Sequence, residues 1–261
     1  MAVAPAVTLA LAMAMALVLA MALSLTSVAT AAPQGGAPAT PGANQAGANQ
    51  AGASQAGTTQ AGTTQAVAKA AVENRILVVG DSLSAEYGLR RGSGWVALLE
   101  ARLAQSRTDF TGNGGNATVV NASISGETTA GGWSRLPALL ERHRPAVVVI
   151  ALGANDALRG LDLGTTEANL GRMIDAAKAA GARPVLVGMM LPPNYGKAYA
   201  DRFATLYPEL ARKRGAVLVP FLLDGFADDT SRFQSDRIHP NERAQQRMLD
   251  NVWPAIERLG S

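Results

Sequence analysis

Beyond residue 72 the apolar positions fall into two patterns. Short, unbroken β-branched runs occur at Arg75–Val79, Ala117–Asn121, Ala146–Leu152, Pro184–Met190 and Ala216–Pro220. Between them lie longer segments in which apolar residues recur every three or four positions. Unbroken runs suit parallel strands buried on both faces, and the longer spacing suits helices with one apolar stripe. The pattern predicts helices over Trp95–Ser106, Ala130–Arg142, Thr166–Ala180 and Ala198–Arg214, and a last one from about Asn241 to Leu259. Thr165 or Thr166 is placed to cap the third of these, and Gly181 and Gly215 sit just past helix ends. Alternating β and α units imply an α/β fold: an open three-layer α/β/α sandwich around a five-stranded parallel sheet.

In such a sheet ligands bind at the carboxyl ends of the strands. Those ends read Gly80-Asp81-Ser82, Ala122-Ser123-Ile124-Ser125-Gly126, Gly153-Ala154-Asn155-Asp156 and Leu191-Pro192-Pro193. Three of the four are rich in Gly, Ser, Asn and Asp. Plain turns share that composition, so the signal is their coincidence.

The first 68 residues change the picture of the rest. None is Lys, Arg, Asp or Glu. Ala6–Ala29 is almost wholly Ala, Leu, Met and Val, and Ala29-Thr30-Ala31-Ala32 offers small residues for cleavage. The segment 1–32 resembles a secretory signal peptide. Its length would also suit an uncleaved N-terminal anchor, which would associate the protein with a membrane. Either reading places the protein outside the cytoplasm, periplasmic, secreted or anchored. From Gly42 to Ala66 runs a pentapeptide repeat (GANQA, GANQA, GASQA, GTTQA, GTTQA) without charge, aromatic or large aliphatic residues. It cannot bury enough apolar area to form a core, so residues 33–70 read as a flexible tether. Residues 71–261 remain as one domain.

The 261-residue chain has a net charge of +3 and no cysteine. No basic stripe with interleaved aromatics appears, which argues against nucleic-acid binding. The absence of cysteine removes disulfides, thiolate metal sites and a cysteine nucleophile. No His or acidic cluster has metal-ligand spacing. There is no G-x-S-x-G and no phosphate-binding P-loop. Gly112–Ala117 imitates a dinucleotide fingerprint but precedes a strand instead of following one.

A serine at a strand end becomes a nucleophile only when a base takes its proton. The two histidines are His143 and His239. His143, in Glu141-Arg142-His143-Arg144, reads as a solvated helix end, which suits the helix dipole. His239 follows Asp236 by three residues, so in a turn both lie on one side. Asp236 can then orient one ring nitrogen and leave the other for Ser82. The same pattern also suits a helix N-terminus capped by Asp236. Candidate donors for a developing oxyanion are the Ser82 N–H, the Gly126 N–H and the Asn155 amide. A turn glycine and a loop-capping asparagine would leave the same trace.

Gly80-Asp81-Ser82-Leu83, Gly126, Gly153-Ala154-Asn155-Asp156 and Asp236-Arg237-Ile238-His239 resemble, in order, the four sequence blocks of the GDSL or SGNH hydrolases. Asn121–Thr129, Leu152–Gly160 and Leu191–Gly196 are similar to that family's bacterial group of multifunctional thioesterases, lysophospholipases and arylesterases. The resemblance implies a flavodoxin-like sandwich and hydrolysis of small acyl esters or thioesters through an acyl-enzyme, without cofactor or metal. It implies Ser82 as nucleophile, His239 as base and then acid, Asp236 as its orienting group, and Ser82, Gly126 and Asn155 as the oxyanion hole. It implies that Asp81 holds the nucleophile loop, and that Asp156, Leu158, Pro192 and Tyr195 line the acyl groove. Ala154 departs from the second glycine common in the group and adds only a methyl. An O-acetylesterase of the same fold and a non-catalytic binding module are the alternatives. A monomer is the expected state.

Overall fold

The computed structural model describes residues 71–260. The expected leader (1–32) and repeat tether (33–70) lie outside the described residues. Five parallel strands form one sheet: β1 (Glu73–Gly80), β2 (Thr118–Asn121), β3 (Pro145–Ala151), β4 (Arg183–Val187) and β5 (Val217–Val219). Their order is β2-β1-β3-β4-β5. Among the described residues six α-helices accompany them: α1 (Trp95–Ser106), α2 (Thr129–His143), α3 (Ala154–Leu158), α4 (Leu163–Ala179), α5 (Lys197–Arg214) and α6 (Glu242–Glu257).

Alternation along each strand explains the unbroken apolar runs. Ile76 and Val78 point into one core, with α1 and α6. Leu77 and Val79 point into the other, with α2, α4 and α5. All four are fully buried, and each such side chain stabilises the fold by about 1.5–3 kcal/mol. The sheet is therefore sandwiched between two helical layers. Strand order reverses between β1 and β3, the neighbours at the middle of the sheet. Two chain segments diverge there, and the crevice between them opens at the carboxyl ends of the strands.

Several boundaries differ from the sequence reading. β4 ends at Val187 rather than Met190. At Gly188 the chain passes so close to β5 that an added Cβ would lie 2.2 Å from the Pro220 carbonyl oxygen. α4 begins at Leu163, and its cap is Asp162, whose side chain accepts the Thr165 N–H, not Thr165 or Thr166. The segment expected as a loop after β3 contains α3, a helix of five residues. That is too short to show a periodic stripe.

Candidate active site

β1 delivers the first group. Its last residue, Gly80, leaves no room for a side chain, since a Cβ there would meet Ser84 Oγ at 2.7 Å. The chain then turns. The Asp81 carbonyl accepts the N–H groups of Ser84 and Ala85, and Asp81 Oδ1 accepts the Leu83 N–H at 3.0 Å. This tight turn holds Ser82, half-buried, at the switch point between β1 and β3.

The last loop delivers its partner. Phe233 and Pro240 form an antiparallel bridge, and the Gln234 N–H bonds the His239 carbonyl at 2.8 Å. Arg237, at φ +59°, closes the hairpin. His239 thus stands on a turn just before α6, whose cap is Asn241. The D-x-x-H pattern is a hairpin tip and not a helix cap. Asp236 Oδ1 accepts the N–H groups of Ile238 and His239 at 2.9 and 3.0 Å. Asp236 Oδ2 lies 2.7 Å from His239 Nδ1, and His239 Nε2 lies 3.0 Å from Ser82 Oγ. A carboxylate at Nδ1 fixes the tautomer that leaves Nε2 free to take the serine proton. Partial burial raises the Asp236 carboxyl, but the hydrogen bonds from His239 and Ile238 outweigh it and hold the group below the usual carboxylate range. His143 closes α2 at the opposite end of the sheet.

The other two loops carry donors. Gly126 adopts φ +78°, a left-handed conformation that glycine enters freely. Among the described residues neither the Ser82 N–H nor the Gly126 N–H has a hydrogen-bond partner. Asn155 lies in the first turn of α3, and its Nδ2 donates to Asp81 Oδ2 at 3.3 Å. Its second amide hydrogen remains for a ligand. Gly153, at φ +113°, precedes it, and a Cβ there would strike the Tyr207 hydroxyl at 2.4 Å. Asp81 is 3% exposed. Desolvation by burial pushes its carboxyl up to about 6, against the Leu83 N–H, the His239 charge and the Asn155 amide.

Of the residues expected in the groove, Leu158, the last residue of α3, and Pro192 and Tyr195, on the segment after β4, are exposed. Asp156 is not in that position. It is 3% exposed, with Oδ2 accepting the Thr129 N–H at 2.9 Å and Oδ1 the Thr129 hydroxyl at 2.5 Å. Its carboxylate faces inward and secures the start of α2, because a buried charge needs such partners.

Three contacts had no trace in the sequence. The Tyr87 ring lies 4.4 Å from the His239 ring, centre to centre. Gln234 Nε2 donates to the Tyr87 carbonyl at 2.8 Å across 147 residues, so the serine and histidine loops are tied directly. Arg159 donates to the Gly126 carbonyl at 2.9 Å. Only the fold brings these pairs together. Among the described residues no group of three or more His, Asp or Glu is placed to hold a metal ion.

A serine, a histidine and an aspartate in hydrogen-bond series, beside unpaired N–H groups on an α/β sandwich, define the serine-hydrolase class of site. Comparison gives the family. Residues 78–247 match the model of the GDSL-like lipase/acylhydrolase family, and the chain belongs to it. It is 47% identical to esterase TesA of Pseudomonas aeruginosa, over 74% of this chain and 92% of that protein. It is 41% identical to thioesterase 1/protease 1/lysophospholipase L1 of Escherichia coli, over 73% of this chain and 87% of that protein. Among solved structures, the psychrotrophic esterase EstA from Pseudoalteromonas, inhibited by monoethylphosphonate, superposes with a TM-score of 0.65. It is 37% identical and covers 71% of this chain and 98% of its own.

Proposed function

We propose that this protein is a carboxylic ester hydrolase that cleaves acyl esters and thioesters, including aryl esters, acyl-CoA and lysophospholipids, through an acyl-enzyme on Ser82. The carrying observation is the series Ser82 Oγ, His239 Nε2, His239 Nδ1, Asp236 Oδ2, with separations of 3.0 and 2.7 Å. Relatives named esterase, arylesterase and thioesterase/lysophospholipase support the reading.

Ser82 Oγ attacks the acyl carbonyl carbon while its proton passes to His239 Nε2. The carbonyl oxygen becomes an oxyanion between the Ser82 and Gly126 N–H groups and the free Asn155 amide hydrogen. The intermediate collapses, the bond to the alcohol or thiol breaks, and His239 returns the proton to the leaving group. A water then repeats the sequence on the acyl-enzyme and releases the acid. Asp236 stays ionised and stabilises the imidazolium. Leu158, Pro192 and Tyr195 offer an open apolar wall to the acyl chain.

The work is done outside the cytoplasm. The uncharged apolar segment Ala6–Ala29 and the small residues after it support export, with the domain periplasmic, secreted or anchored. Fractionation of the producing cells tests this, and intact protein in the cytosol would refute it. The activity is tested with p-nitrophenyl acyl esters of increasing chain length. Wild type hydrolyses them, and Ser82→Ala loses at least three orders of magnitude in kcat. Unchanged hydrolysis would refute the assignment.

A further inference from the structure

Two of the oxyanion donors stand on different segments. Gly126 follows β2, and Asn155 follows β3 in the first turn of α3. Arg159, just past the end of α3, is bonded to both residues. Its main-chain N–H donates to the Asn155 carbonyl at 3.2 Å, and its guanidinium donates to the Gly126 carbonyl at 2.9 Å. Arg159 is exposed. Among the described residues its side chain makes no other hydrogen bond and joins no ion pair.

A donor that serves an oxyanion cannot be held by a bond of its own, because its hydrogen must stay open to the ligand. Its direction has to come from its neighbours. The peptide after Gly126 is held at both polar ends. Its carbonyl accepts from Arg159, and its N–H, that of Glu127, donates to the Ile124 carbonyl at 3.1 Å. The peptide before Gly126 carries the donor N–H, which has no partner among the described residues. Between the two peptides stands a glycine at φ +78°, whose backbone turns more freely than that of any other residue. Ile124 and Ser125 are exposed, so packing does little to steady this stretch. Asp156 secures Thr129, three residues further on. Among the described residues the Arg159 bond is the one that reaches Gly126 itself from outside its own loop.

We propose that Arg159 is a positioning residue for the hydrolysis. It holds the Gly126 carbonyl so that the Gly126 N–H stays aimed at the developing oxyanion, in fixed relation to the Asn155 amide. Arg159 acts through Gly126 and not by contact with the substrate. The proposal rests on the ester-hydrolase reading of Ser82.

Arg159→Met keeps the side-chain stem and removes the donors. The assay uses p-nitrophenyl acetate, which is neutral, so a missing contact to a charged substrate cannot register. Loss of a whole oxyanion donor costs about 10²–10³ in kcat, so a donor left in place but loosely aimed should cost about tenfold. KM should stay as in wild type, and the melting temperature should move by about 2 °C or less, since the side chain is exposed. An alkyl trifluoromethyl ketone, which adds reversibly to Ser82 and places an oxyanion in the hole, should bind more weakly by the same factor as kcat/KM falls. The second variant pair separates the two donors. In an Asn155→Ala background, Arg159→Met should cost the same further factor, because it works on Gly126. If that further cost vanishes, Arg159 acts through Asn155 and the proposal is overturned. Unchanged kcat, a raised KM in place of a lowered kcat, or a fall in melting temperature alone overturns it as well. Failure of the ester-hydrolase reading looks different: wild type itself would be inactive, or Ser82→Ala would remain active.

Discussion

Asp81 accepts a hydrogen bond from the Asn155 side-chain amide at 3.3 Å. One bond thereby joins the turn that carries the nucleophile, after β1, to a candidate oxyanion donor, after β3. Asp81 is buried and has no Lys or Arg partner among the described residues, so the bond comes with an electrostatic cost. Burial raises its carboxyl from 3.8 to about 6. Between those values the folded state holds a proton that the unfolded state has lost. Stability from this group is therefore present below about pH 4 and is lost as pH rises through 6. Asp81→Asn removes the titration. Relative to that variant, wild type should lose about 2 kcal/mol between about pH 4 and about pH 7. Urea unfolding of both proteins across that range checks the difference, and a constant gap would contradict it.

Asp236 behaves in the opposite way. Its hydrogen bonds hold it below the usual carboxylate range, so it stays ionised throughout the working range of an imidazole base. Asp236→Asn keeps the shape but loses the charge that favours one tautomer of His239. The expected outcome is a fall in kcat of at least tenfold, with KM changed little. Steady-state kinetics on a soluble aryl ester reads both.

Gly153 stands where two constraints meet. Its φ of +113° disfavours a side chain, and a Cβ would press on the buried Tyr207 hydroxyl at 2.4 Å. That hydroxyl donates to the Leu152 carbonyl at 3.0 Å. Gly153→Ala should lower stability by about 2–4 kcal/mol. Asn155 follows two residues later, so kcat should fall with it. Thermal unfolding and kinetics on one sample test the pair.

Asp156 separates a structural role from a groove role. Its oxygens bind the Thr129 N–H and hydroxyl inside the protein. Asp156→Ala leaves buried donors unpaired and should cost about 2–3 kcal/mol. Preference among acyl chain lengths should not change. A shifted chain-length profile at unchanged stability would instead place this carboxylate in the groove.

The strands and long helices are legible in the sequence because their signals are local. Trp95–Ser106 coincides with α1 at both ends, whereas the reversal of strand order between β1 and β3 is seen only in the structure, because crossovers alone leave the order of the strands open. Asn155 is legible as a residue, but its placement on a short helix is not, because five residues carry no periodic stripe. Asp156 reads as groove-lining and is not: an acidic residue next to a site residue looks functional until its partner, Thr129, is known. Tyr87, Gln234 and Arg159 leave no trace, since each meets its partner across 33 or more residues. Cysteine and histidine scarcity helps most. With two histidines in the chain, composition alone nearly fixes the base for Ser82.

The covalent intermediate on Ser82 is tested most directly by mass. Wild type treated with a fluorophosphonate ester should gain the mass of one phosphonyl group, carried by the peptide containing Ser82, as activity disappears. Ser82→Ala should gain none. An adduct on another residue, or full activity with Ser82 phosphonylated, would contradict the assignment of Ser82 as nucleophile.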